Sequence, residues 1–170
     1  MKPDQDKLDI IRQNVTDTIA LARDKYDRSG IGVLEVGLLK GGAKDTFTAA
    51  TVKTLDIIEG GDYVTDICAT YRACYLLGKF DAVICTEVLE HTTNPFSAVN
   101  TLRAVLKDEG TAYITTPFNF RIHNPLPDNW RFTEHGLREL FKEWSSVEVT
   151  AIETEGRELM PVCYRVIAVK

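Results

Sequence analysis

The feature that most constrains this chain is a series of short apolar runs separated by helix-like segments. Residues 31–36, 51–57, 63–65, 81–86 and 111–115 each read as a strand, and residues 82–85 are apolar without a break. A strand that is apolar on every side chain has to be covered on both faces, as a parallel strand inside a sheet is. Between these runs lie a loop with room for a few helical turns (37–50), a short helix or turn (70–77) and a longer helix. Asn94 and Pro95 start that helix as N-cap and first-turn residue, and Phe96, Val99, Leu102 and Leu106 form its stripe before residues 107–110 close it. Two late strands, 147–152 and 162–169, are close enough to pair as an antiparallel hairpin, and Thr133 caps a helix over 134–141 ahead of them. The expected fold is α/β: a mostly parallel seven-stranded sheet with helices on both faces and an antiparallel C-terminal hairpin.

Ahead of the first strand, Leu8, Ile11, Val15, Ile19, Ala22 and Tyr26 recur at helical spacing. Residues 1–29 are therefore expected as an amphipathic helix packed on the core, and residues 30–170 as the domain proper. Twenty Lys and Arg against twenty-five Asp and Glu give a net charge of −5, with no basic run. Nucleic-acid binding is not expected, because it calls for a basic patch or stripe. No stretch approaches the roughly 20 apolar residues of a membrane span. The polar start, with no apolar run behind it, does not read as a signal peptide, so a cytoplasmic location is expected. The four cysteines match neither a zinc knuckle nor a CxxC pair and read as buried or half-buried thiols.

Ligands of open parallel sheets bind beyond the carboxyl ends of the strands, where strand order reverses. Four places there carry chemistry. Glu35 and Gly37 end the first strand, followed by Gly41 and Gly42; such glycines let backbone amides approach a ligand closely, and Glu35 either orders the loop or meets a cationic group. Asp56, ending the second strand, can accept both ribose hydroxyls of an adenosine. Asp66, after the third, can reach an adenine amine, with Ile67 as an apolar face. Glu87, Glu90 and His91 follow the fourth strand.

These stretches, VLEVG at 33–37, TLDI at 54–57, DYVTD at 62–66, FDAVICTEVLEH at 80–91 and WRFTEHGLRELF at 130–141, resemble class I S-adenosylmethionine-dependent methyltransferases of the type 11 group. The resemblance implies a Rossmann-like sheet and S-adenosylmethionine as cofactor. Gly37 and Gly41 would cradle its methionine part, Glu35 would sit near that loop, Asp56 would hold the ribose, Asp66 and Ile67 would contact the adenine, and Glu87 would border the methionine side. The chain departs from the family pattern at Leu39, where the middle glycine of the loop would stand. Two alternatives follow: an inactive cofactor-binding partner of the same fold, and a nicotinamide-dinucleotide oxidoreductase, whose fingerprint Leu39 also breaks.

The aperiodic segment 117–132 is long for a connection and carries Arg121, His123, Asp128, Trp130 and Arg131. It resembles the PFxxRxH…DxWRFT loop of a subset of these methyltransferases, which implies a small-molecule acceptor, with a sugar or nucleotide sugar as the expected class. His123 is the expected general base, removing a hydroxyl proton, with Arg121 and Arg131 orienting the acceptor. The bland alternative has Trp130 and Phe132 as core anchors and Arg131 paired with a nearby acid. His91, His123 and His135 have no compact metal-ligand spacing, so no metal is expected. A C₂ homodimer is the expected assembly if a neighbour completes the acceptor site.

Overall fold

A computed structural model describes residues 3–170. Strands β1 (Gly32–Val36), β2 (Thr51–Asp56), β3 (Tyr63–Val64), β4 (Phe80–Thr86), β5 (Leu106–Pro117), β6 (Ser146–Ile152) and β7 (Cys163–Val169) form one sheet in the order β3-β2-β1-β4-β5-β7-β6. The first five are mutually parallel, and β7 runs antiparallel between β5 and β6. This is the expected Rossmann-like sheet. Its strand order reverses between β1 and β4, which opens a crevice at their carboxyl ends.

Strand alternation distributes the core to two faces. On one face, helix α1 (Pro3–Tyr26) lays Val15, Ile19, Ala22 and Tyr26 against Val33, Ala82, Ile84 and Tyr113, and the short helix α2 (Ala43–Thr46) adds Ala43. On the other, α3 (Pro95–Val105) and α4 (Glu134–Leu140) cover Leu34, Val83, Cys85, Ala112 and Ile114. Neighbours in sequence such as Val33 and Leu34 thus belong to different cores, which is why Val33–Leu34 in β1 and Ala82–Cys85 in β4 are apolar without alternation. A fully buried Ile or Leu at these positions contributes about 1.5–3 kcal/mol.

Both helix caps read from the sequence form. Asn94 accepts the Ser97 N–H at 3.1 Å, and Thr133 accepts the Gly136 N–H at 3.1 Å. Some details differ. Helix α1 begins at Pro3, before its apolar stripe does. The α3 helix stops at Val105, and Leu106 already pairs with Phe80 in β5; residues 107–110 bulge out before Thr111 pairs with Ala82. Glu109 takes φ +63 to make that bulge. Phe96 is 53% exposed, because it lies roughly 100° around the helix from Pro95, off the face that buries Ala98, Val99, Leu102 and Val105.

No helix of the described residues is long and apolar enough to cross a membrane. Cys85 and Cys163 are buried, Cys68 is half-buried and Cys74 is exposed, all as free thiols.

Candidate active site

At the end of β1 the carboxylate of Glu35 turns back into the protein. It accepts the Ala43 N–H at 2.8 Å and the Lys44 N–H at 3.0 Å, so it caps α2 and orders the glycine loop. Of the two roles open to it, this is the structural one. Burial raises its pKa, against the two amides that lower it. The approach is so close that a Cβ on Gly42 would stand 1.9 Å from Glu35 Oε1. Gly41 has open space but takes φ +78, and Gly37 takes φ +88 with Val88 Cγ2 2.9 Å from where its Cβ would be. The loop between them turns Leu38 and Leu39 outward.

Asp56 follows at the end of β2. One carboxylate oxygen accepts the Leu38 N–H at 2.8 Å and the other the Ile58 N–H at 3.1 Å, which ties the two loops together. Each oxygen keeps a further lone pair for a ligand hydroxyl. Ile57, beside it, is 68% exposed at the carboxyl edge of the sheet and offers an apolar face that the sequence reading passed over. Asp66 closes its own turn by accepting the Cys68 N–H at 2.8 Å. Ile67 differs from expectation: it is buried in the core with Leu76 and Leu55 and presents no free face.

The segment after β4 holds the strongest electrostatics. Glu87 takes φ +54 and accepts the Thr115 hydroxyl at 2.9 Å; burial pushes its pKa up to about 7. Glu90, in the 3-10 turn Leu89–His91, is 0% exposed. Its Oε2 has the Thr116 hydroxyl at 3.4 Å, and its Oε1 has no hydrogen-bond partner. Burial first, and the neighbouring Glu87 second, raise its pKa well above the ordinary carboxyl range. Two imidazoles face that bare oxygen: His91 Nε2 at 3.8 Å and His123 Nε2 at 3.9 Å.

The 117–132 segment brings His123 there, and Asp128 is its hub. Asp128 Oδ2 accepts the His123 backbone N–H at 3.0 Å and faces His123 Nδ1 at 3.0 Å. The Arg131 guanidinium pairs with both Asp128 oxygens and donates to the Arg121 carbonyl at 2.9 Å. These bonds hold the Asp128 carboxyl well below its usual range. Desolvation lowers the His123 pKa, against Asp128, which raises it. Arg131 therefore differs from its expected acceptor-orienting role, because a buried acid and loop carbonyls engage its donors. Arg121 stays exposed, with its guanidinium 6.0 Å from the Phe120 ring centroid. Trp130 pins the loop by donating from Nε1 to the Thr92 carbonyl at 2.7 Å and stacking on Phe132, which is the buried anchor. An open cavity of about 520 Å³ borders the loop, lined by Leu8, Phe120, Arg121, Ile122, His123, Asn124 and Leu126.

The sequence offers His91, His123 and His135 with nearby acids but no metal-ligand spacing, whereas the fold makes a group of Glu90, His91 and His123, whose ligand atoms lie within 4.8 Å of one another. His123 enters it only through the fold of the loop. His135 is exposed on α4 and outside it. The signal for Glu90 is an acid beside His91 in the turn that follows the apolar run 82–85.

Fold and site together define an α/β domain with a ligand crevice at the switch point of a parallel sheet and an acid–imidazole cluster at its edge. Residues 9–151 match the family model described as a methyltransferase domain, and the chain belongs to that family. That membership sets aside the dinucleotide alternative. A ubiquinone biosynthesis O-methyltransferase of Actinobacillus pleuropneumoniae is 32% identical over 99 residues, covering 51% of this chain and 42% of that one. The chain thus spans about two fifths of the length of the curated relatives it matches. A SAM-dependent methyltransferase from Archaeoglobus fulgidus superposes with TM-score 0.65 at 15% identity, over 92% of this chain and 94% of that one. A Burkholderia thailandensis 1,6-didemethyltoxoflavin-N1-methyltransferase, solved with its substrate and S-adenosylhomocysteine, superposes with TM-score 0.63 at 18% identity, over 92% of this chain and 78% of that one.

Proposed function

We propose that this chain binds S-adenosylmethionine in the crevice beyond β1, β2 and β4 and transfers its methyl group to a hydroxyl of a small molecule. The observation that carries the reading is the series of acids at successive strand ends, Asp56, Asp66 and Glu87, around a loop whose glycines Gly37 and Gly41 have positive φ. The donor set fits the cofactor. Asp56 retains lone pairs for two ribose hydroxyls, Ile57 is an exposed apolar surface for the adenine, and the open space beside Gly41 leaves room for close approach. The cofactor supplies a carbon already activated by its sulfonium. The protein orients the acceptor, which is the larger contribution, and takes up its proton.

His123 is the proton acceptor in this reading. Asp128 fixes its Nδ1 as the protonated nitrogen and leaves the Nε2 lone pair facing the cluster after β4. Arg121 is an exposed cation at the cavity and meets an anionic group of the acceptor. Four of the seven residues lining that cavity are apolar, which suits a ring-bearing or lipid-like acceptor better than the expected sugar. The O-methyltransferase relative, named for ubiquinone biosynthesis, supports the hydroxyl.

Calorimetric titration with S-adenosylmethionine and S-adenosylhomocysteine tests the binding half. A 1:1 isotherm is expected, and no heat at millimolar ligand refutes it. Release of labelled methyl to a panel of phenols, acids and sugars tests transfer. Binding without transfer to any of them favours the inactive-partner alternative.

A further inference from the structure

We propose that Glu90, His91 and His123 form a binding site for one divalent transition-metal ion. The geometry at the two ring nitrogens not directed at Glu90 motivates this. His91 Nδ1 lies 3.0 Å from the Pro127 carbonyl oxygen, which can only accept, so Nδ1 carries the proton and Nε2 a bare lone pair. His123 Nδ1 faces the Asp128 carboxylate at 3.0 Å, which fixes the same tautomer. Both Nε2 atoms then stand 3.8 and 3.9 Å from Glu90 Oε1.

Those separations are too long for hydrogen bonds. The oxygen is fully buried and has no partner of its own. Two imidazole lone pairs and an unpartnered carboxyl oxygen converge on one point, and a cation bound there, displacing the carboxyl proton, completes the arrangement. Donors bound to one ion in tetrahedral geometry at about 2.1 Å stand about 3.4 Å apart, so Glu90 must close on each imidazole by only roughly 0.5 Å. Each imidazole also has the outer partner that metal-bound histidines have, a carbonyl for His91 and a carboxylate for His123.

Two imidazoles and a carboxylate select zinc, cobalt, iron or manganese over magnesium and calcium, which prefer all-oxygen sets. Three protein ligands leave positions open to water or an acceptor oxygen. The ion would tie the 117–132 segment to the turn after β4. Ligation and proton uptake use the same His123 lone pair and are therefore exclusive; in the loaded protein coordination lowers the pKa of a bound hydroxyl instead. Metal binding does not rest on the methyl-transfer reading, and each can fail without the other.

The test is calorimetry of the chelator-treated full chain with Zn²⁺ and Mg²⁺, together with visible absorption of the Co²⁺-loaded protein. One Zn²⁺ per chain is expected, bound at least 100-fold more tightly than Mg²⁺, with Co²⁺ bands stronger than those of the aqueous ion. His91→Ala and His123→Ala should each weaken Zn²⁺ at least tenfold, and Asp128→Asn roughly 10–100-fold. No Zn²⁺ binding at millimolar concentration overturns the proposal, as does an affinity equal to the parent's in both histidine variants. If either variant fails to fold, as read by circular dichroism, the unaltered protein decides: a Co²⁺ spectrum identical to the aqueous ion overturns the site.

Discussion

His123 Nδ1 and Asp128 Oδ2 lie 3.0 Å apart, and the same carboxylate oxygen accepts the His123 backbone N–H at 3.0 Å. Asp128 thus sets both the position of this imidazole and its tautomer. In the metal-free protein, His123→Ala should lower kcat by roughly 10²–10⁴-fold and leave S-adenosylmethionine affinity unchanged. Steady-state kinetics beside calorimetry checks this; an equal loss in both would assign His123 to cofactor binding instead.

Arg131 holds the loop together rather than holding the acceptor. Its guanidinium pairs with Asp128, whose side chain is wholly buried. Arg131→Ala leaves that carboxylate without its cation and should cost about 2–4 kcal/mol. Thermal unfolding should show a melting temperature lower by roughly 5–15 °C. A variant as stable as the parent would remove Arg131 from this structural role.

Glu87 makes stability depend on pH. Burial raises its pKa from 4.5 to about 7 in the folded protein. Between those values the folded state keeps a proton that the unfolded chain has lost, so stability falls as pH rises through the window. The expected loss is on the order of 3 kcal/mol across it. Urea unfolding of chelated protein at pH 5, 6, 7 and 8 measures the slope, and Glu87→Gln should make it shallower, the buried Glu90 accounting for what remains.

Gly42 is the glycine least open to substitution. A methyl there would stand 1.9 Å from Glu35 Oε1 and force the cap of α2 apart, whereas at Gly41 it meets only the strain of φ +78. Gly41→Ala should cost about 1–2 kcal/mol, and Gly42→Ala more, with cofactor affinity lost as the loop shifts. Chemical denaturation of the two variants side by side orders them.

Asp56→Ala should weaken S-adenosylmethionine by about 1–3 kcal/mol, roughly 5–150-fold. Leu39→Gly tests whether the exposed leucine limits the site: a rise in affinity means that it does, and no change means that the loop has accommodated it.

The sequence by itself determined the layers. The uninterrupted apolar run at 82–85 in β4 required cover on both faces, helical periodicity supplied α1, and Asn94 and Thr133 set where α3 and α4 begin. These are local properties, fixed by backbone geometry and by which side chains water rejects. The sequence also placed Asp56, Asp66 and Glu87 at strand ends, because a strand's end is visible where its apolar run stops. Only the tertiary structure decided what those groups do. Glu35 was legible as a carboxylate after an apolar strand, but α2 folding back over it made it a cap. Arg131 and Asp128 became a buried pair, and Glu90, His91 and His123 became neighbours, only through the path of an aperiodic loop. That path is set by contacts distant in sequence, such as Trp130 on Thr92 and Phe132 in the core, and no periodicity encodes them.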